Sequence, residues 1–170
     1  MIDIKDSEGN VKLSVEVTSK DIYRKELMNE EYVLLSFNTA TLVSLRKGDY
    51  IETEFGRFEI YKVNKPERNV SSDGGYYYEQ KFHADWQRWE TRKLFYSRQN
   101  GFEKTWSMTQ TPAYFMQVVV DNLAAAGFGD YTFEIDAELT EMKYIQFDGD
   151  DIISALNKIA EEWETEWWVS

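Results

Sequence analysis

Cysteine is absent from this sequence. Disulfides, thiolate nucleophiles and cysteine-ligated metals are therefore excluded, while the redox compartment stays open. Positive charge is scarce: 19 Lys and Arg face 31 Asp and Glu, giving a net charge of −12 and a pI near 4.6. The basic residues are scattered. They offer no footprint for displacing the counterions of a nucleic acid, and an anionic membrane surface repels the chain. No apolar run approaches the roughly 18 residues of a membrane span. The start, "MIDIKDSEGN", lacks the basic end and apolar stretch of a Sec signal peptide. Proline occurs twice, at Pro66 and Pro112, and each marks a boundary described below.

What the chain has in plenty is aromatic side chains, 16% of its 170 residues. Its length suits one domain, or one domain with a smaller companion, and is enough to bury a core without staples. Large aromatics serve cores and interfaces. They concentrate in "GGYYYEQKFHADWQRWE", residues 74–90, which also holds the only histidine.

The first half reads as strands. "IDIK" and "VKLSVEV" flank "DSEGN", an early hairpin with Gly9 and Asn10 in the turn and Val11, Leu13, Val15 and Val17 alternating inward. "TSKDIYRKELMNEE" is polar and irregular, a loop or short helical turn. "YVLLSFN" puts Val33, Leu35 and Phe37 on one face. In "RKGDYIETEFGRFEIYKVNKP" a turn at Lys47, Gly48 and Asp49 leads into a hairpin. Its reversal lies at Gly56, where a positive φ costs glycine little. Pro66, with no N–H to donate, ends that ladder, and "ERNVSSDGG" is a loop tip. The aromatic stretch is then a long strand. Period two puts Tyr76, Tyr78, Gln80, Phe82 and Ala84 on one face, with Tyr77, Glu79, Lys81, His83 and Asp85 on the other. "KLFYS", a turn at "RQNG" and "FEKTWSM" complete this part.

The last third changes character. Thr111 is an N-cap with Pro112 at the first helical position, and Gly127 stops the helix. "YTFEI" and "KYIQF" read as strands. Asp150 caps a second helix whose stripe is Ile152, Leu156, Ile159 and Trp163. "ETEWWVS" starts a strand, and its abrupt end suggests a piece of a longer chain. The expected fold is therefore α+β and β-rich. An antiparallel barrel- or sandwich-like part, residues 1–108, precedes a small helix–strand–strand–helix–strand part, residues 109–170.

Chemistry-bearing patterns are weak. His83 has no nucleophile or orienting group nominated beside it, so it reads as an ordinary satisfied histidine. "FDGDD" imitates the start of a calcium loop, but Ile159 stands where the twelfth-position Glu is needed. It reads as a turn and helix cap. Acid pairs are too common in so acidic a chain to single out a glycosidase, and no glycine-rich phosphate loop follows a strand. Trp167 and Trp168, being adjacent, point to opposite faces if extended, so at least one needs cover.

The segments "KGDYIETEFGRFEIYKVNKP", "GGYYYEQKFHADWQRW" and "DIISALNKIAEEWETEWWV" together resemble the N-terminal region of phage tail proteins from prophages of Bacteroides-like bacteria. That group comprises baseplate-hub and tail-tip proteins, with tail-associated lysins and prophage tail endopeptidases among them. The likeness rests on the Gly-Asp-Tyr turn at 48–50, the Gly-Tyr-x-Tyr-Glu run at 75–79 and the Trp-Glu-x-Glu-Trp-Trp-Val ending. It implies a structural adaptor in the virion tail, made in the bacterial cytoplasm. Its partners would be copies of itself, as a homotrimer in the full-length protein, and other tail or baseplate components. It implies no cofactor, no metal and no catalytic residue here, lytic activity lying in separate C-terminal domains. Tyr77, Trp86, Trp89 and Trp168 are the candidate interface residues. Two readings from other classes stand beside it. One is a carbohydrate-binding module, which needs coplanar exposed aromatics. The other is a carboxylate hydrolase, which needs two facing acids in a pocket.

Overall fold

The computed structural model describes residues 1–69, 74–98 and 101–169. The fold is α+β and β-rich: a curled antiparallel sheet forms a half-barrel, and a mixed helix and strand region follows. By packing, the chain divides into Met1–Gln87 and Arg88–Ser170.

The first unit holds β1 (Ile2–Lys5), β2 (Val11–Val15), β3 (Ile22–Glu26), β4 (Glu30–Thr39), β5 (Tyr50–Thr53), β6 (Gly56–Glu59), β7 (Glu67–Asn69) and β8 (Gly75–Ala84). Their order in the sheet is β2-β1-β5-β6-β8-β4-β3, with β7 also pairing β8. The two ten-residue strands β4 and β8 form its spine, paired from Tyr32↔His83 to Thr39↔Tyr76. Period two holds there. Val33, Leu35, Phe37, Tyr78, Phe82 and Ala84 are buried on one face.

Gln80 lies on that same buried face because the sheet is split beside it. The edge of β8 opposite β4 pairs with β6 only at His83 and Ala84, and with β7 only at residues 75–77. Between them, Gln80 Nε2 donates to Lys62 O and Lys81 O at 2.8 Å, and its Oε1 accepts from Asn64 N at 2.9 Å. Asn64 Nδ2 donates to Glu79 O at 2.7 Å. Side-chain amides thus replace the missing ladder, as buried polar groups require.

Three local expectations change. The segment read as irregular, residues 18–31, contains β3. It pairs with β4 from Ile22↔Leu34 to Glu26↔Glu30. Its polarity is that of an edge strand, solvated on one side. Val11 and Val17 point to solvent at 54% and 52% exposure, and only Val15 of that set is fully buried. The reason is that β2 ends the sheet and has cover on one side alone. The ladder of β6 stops at Glu59, before Pro66, and the chain after that proline starts β7. Part of the expected loop tip, residues 70–73, lies outside the described residues.

A 3-10 helix, Asp85–Thr91, carries the chain into the second unit. There β9 (Tyr96–Arg98) and β10 (Gly101–Glu103) form a hairpin, and part of the expected "RQNG" turn, residues 99 and 100, lies outside the described residues. Strand β11 (Thr105–Gln110) pairs in full with β12 (Lys143–Asp148), against helices α1 (Pro112–Ala125) and α2 (Ile152–Glu162). The α1 start matches the sequence: Thr111 Oγ1 accepts from Tyr114 N, and Pro112 opens the helix. The α2 cap is Asp151, one residue later than expected, with its carboxylate accepting from Ser154 N at 2.9 Å. Asp150 instead accepts from Lys158 Nζ at 2.7 Å and from Asp148 N. Burial alone would raise the Asp150 carboxyl, but those bonds outweigh it and hold it below the usual range. The α2 stripe of Ile152, Leu156, Ile159 and Trp163 is buried as expected.

Residues 131–135, expected as a strand, alternate half-buried and exposed but join no ladder among the described residues. Residues 164–169 form no strand either.

Candidate protein interface

The four candidate interface residues fall in different environments. Trp86 is 7% exposed and belongs to the first unit's core. Its Nε1 donates to Glu31 Oε2 at 3.0 Å, and Tyr23 O–H donates to Glu31 Oε1 at 2.8 Å. Lys25 Nζ stands 3.5 Å from the same carboxylate. Glu31 is itself buried, so this is a satisfied internal network with a charge at its centre. Burial first, and then the bond to Glu31, pushes the Tyr23 hydroxyl up to about 12. Tyr23 also stacks on Phe55 at 4.0 Å with the rings 2° from parallel. That contact explains how Phe55 keeps a place in its turn while half-exposed.

Trp89 is 4% exposed and meets Tyr131 edge-on at 5.0 Å. Like Trp86, it is committed to the interior of its own unit and leaves no open face for a partner. The spacing of the two tryptophans gave no sign of this. They fall in a 3-10 helix, where period two does not apply.

Tyr77 is different. It is half-buried on the outer face of β8, opposite Asn38 of β4 and Glu67 of β7. Its hydroxyl lies 3.5 Å from Glu79 Oε2. Farther along that face, Lys81 Nζ sits 3.9 Å from the centre of the Tyr32 ring. Trp168 is 66% exposed, while its neighbour Trp167 is half-buried and donates through Nε1 to Asn157 Oδ1 at 2.7 Å. The adjacent tryptophans do divide between cover and solvent. In the second unit Phe102, Tyr144 and Met142 are also exposed.

His83 is held rather than poised. Its Nδ1 is 2.6 Å from Gln87 Oε1, and Gln87 Nε2 donates to Asn29 O at 3.2 Å. The amide oxygen can only accept, so Nδ1 carries a proton. The ring stacks on Tyr61 at 5.4 Å. No group of three or more His, Asp or Glu among the described residues could hold a metal ion. No helix among them is long and apolar enough to cross a membrane.

Sequence reasoning missed two polar anchors. Besides the Tyr23–Glu31–Trp86 network, buried Asp49 accepts from Lys12 Nζ at 2.6 Å and from Arg46 N at 2.7 Å. Lys12 and Asp49 are 37 residues apart, and nothing local in either segment announces the pair.

No family profile matches the chain, and no curated protein sequence matches it. Among solved structures, the crystal structure of prophage tail protein gp18 from Listeria monocytogenes EGD-e is similar to it, with a TM-score of 0.55 at 10% identity. The match covers 94% of this chain and 45% of that one, so this chain spans less than half the length of that protein. At that identity the two share a fold.

Proposed function

We propose that this chain is a structural component of a phage tail that works through protein–protein contacts. The observation that carries the reading is the fold shared with a prophage tail protein over 94% of the chain. The finer reading is an oligomeric adaptor at the tail tip or baseplate hub. It would be a homotrimer in the full-length protein and would bind other tail components. Tyr77 and Trp168 are the residues we assign to such contacts, because Trp86 and Trp89 are spent on their cores. We read the chain as scaffold and not as enzyme; its one histidine is held by the Gln87 amide and stacks on the Tyr61 ring.

A carbohydrate-binding role is not favoured, since Trp86, Trp89, Trp106 and Trp163 are all buried. The tail reading is tested with an antibody against this chain and negative-stain microscopy of particles released by the host that carries the gene. Labelling at the tail tip is expected. Particles that carry no label would remove the structural role, and label confined to another part of the virion would remove the hub assignment.

A further inference from the structure

The half-barrel ends in two edge strands, and they are treated differently. An exposed strand edge is a template for another chain, and proteins blunt it with charge. Edge strand β3 is blunted: Arg24 pairs with Glu26 at 2.6 Å and Glu30 at 3.7 Å, and Lys25 with Glu31 at 3.5 Å. Edge strand β2 is charged less: in the strand and the two residues after it only Lys12 and Glu16 are charged, Val11 and Val17 are 54% and 52% exposed, and Ser14 and Glu16 face solvent. Its margin opens on a cleft of about 240 Å³ lined by residues 13–16 and 18 on one side and by Ser36, Phe37 and Asn38 of β4 on the other.

The sequence along this edge, Val-Lys-Leu-Ser-Val-Glu-Val, is complementary to itself when reversed. Antiparallel pairing of two copies centred on Ser14 sets Leu13 opposite Val15, Lys12 opposite Glu16 and Val11 opposite Val17, twice over. Opposite charges and apolar pairs at facing positions are the units of sheet stabilisation. Lys12 already binds Asp49 at 2.6 Å and is 20% exposed. An ammonium has three donors, so it can also meet a partner's Glu16, which has no ion pair among the described residues.

We propose that β2 is a self-association edge. Two copies of this chain pair through it about a two-fold axis at Ser14, extending the strand to Val17 and continuing the sheet from one half-barrel into the next. Such a contact is isologous and closes at two copies. It does not rest on the tail reading.

The absence of cysteine makes the test direct. Light scattering across a concentration series should show twice the chain mass of 20.1 kDa at the upper end. Glu16→Lys sets lysine against Lys12 at both pairs and should weaken the dimer at least tenfold. Ser14→Cys keeps the charge pattern and should cross-link into dimers under mild oxidation. Glu54→Cys, exposed in another turn, is the control and should not. Monomer at every concentration overturns the proposal. So does a dimer indifferent to Glu16→Lys, or cross-linking at Ser14 no faster than at Glu54. A trimer overturns it too while favouring the hub reading, so the two ideas fail separately.

Discussion

Among the described residues, the buried polar side chains Glu31, Ser36, Asp49, Gln80 and Gln87 all fall in the first unit and none in the second. The second unit's core is instead a run of touching aromatics. Trp106 meets Phe147 at 4.5 Å and Tyr96 at 5.0 Å, and Phe115 lies within 6.2 Å of Trp106, Phe147 and Trp163. Backbone explains the difference. In the second unit β11 and β12 pair over all six positions and the helices satisfy their own amides. In the first, the curled sheet joins β1 to β5 through Lys5↔Tyr50 alone and leaves β8 with a gap in its edge. Those breaks need side-chain donors and acceptors from within. The breaks in the first unit's sheet are thus closed by buried side-chain hydrogen bonds added to an apolar core, whereas the second unit's core is built mainly of packed aromatic rings.

The largest effect should come from emptying the aromatic core. Phe115 is 1% exposed, and Phe115→Ala should cost about 3–5 kcal/mol, the range for a buried phenylalanine. The six tryptophan indole N–H signals report where the loss falls. Trp106 and Trp163 should shift or broaden, with Trp86 unmoved. A shift of Trp86 equal to theirs would mean the two units do not unfold separately.

Removing an internal polar plug comes next. Gln80→Leu keeps the volume nearly constant but strands Asn64 N–H and leaves Lys62 O one donor short. A loss of about 1–2 kcal/mol is expected, at about 0.5–1.5 for each part-buried hydrogen bond removed. Urea denaturation measures it. A neutral result would show that water replaces the amide and that the split edge is wet. In the second unit the half-buried Asn122 amide has a comparable role: its Oδ1 accepts from Phe95 N at 2.9 Å and its Nδ2 donates to Phe95 O at 2.8 Å.

A milder test uses Tyr23, whose hydroxyl is raised from 10.0 to about 12 in the fold. Between those values the folded state keeps a proton that the unfolded chain has lost. The stabilisation is therefore complete below about pH 10 and drains away as pH rises toward 12. Tyr23→Phe should cost about 1 kcal/mol at neutral pH, the net worth of one hydrogen bond. It should also flatten the alkaline slope. An unchanged slope would place the loss of alkaline stability on other tyrosines.

The sequence carried the spine of the fold well. Alternation in 75–84 and the periodic stripes of both helices are local patterns, so Tyr78, Phe82 and the Ile152–Trp163 stripe could be assigned to the interior, while Tyr76, placed inward by the same alternation, is only half-buried. Edges were less legible. Whether Val11 is covered, or whether residues 22–26 find a partner, depends on strand order, which no local pattern encodes. Candidate interface residues suffered most. Trp86 and Trp89 look the same as Trp168 in sequence, and only the packing around each separates core from surface. The boundary expected at 108/109 stands as a proposal about independent folding. A chain ending at residue 108 contains the whole curled sheet, and its amide spectrum should show β1 to β8 formed.

The smallest effect should come from a helix end, and it has the opposite sign. Both helices close with the same bond pattern. After α1, Gly127 N–H bonds Ala124 O and Phe128 N–H bonds Leu123 O; after α2, Glu164 N–H bonds Glu161 O and Thr165 N–H bonds Ala160 O. Each pattern is a Schellman motif, which requires a left-handed residue just past the cap. The φ angles are 78° at Gly127 and 52° at Glu164. Glycine adopts that conformation freely, whereas a side chain there crowds the following carbonyl and costs about 1 kcal/mol. Glu164→Gly should therefore stabilise the second unit by up to about 1 kcal/mol, partly offset by the freedom glycine gains in the unfolded chain. A melting curve that rises by a few degrees would confirm that α2 carries this strain. A fall would mean that the Glu164 side chain has a stabilising contact of its own that outweighs its backbone cost.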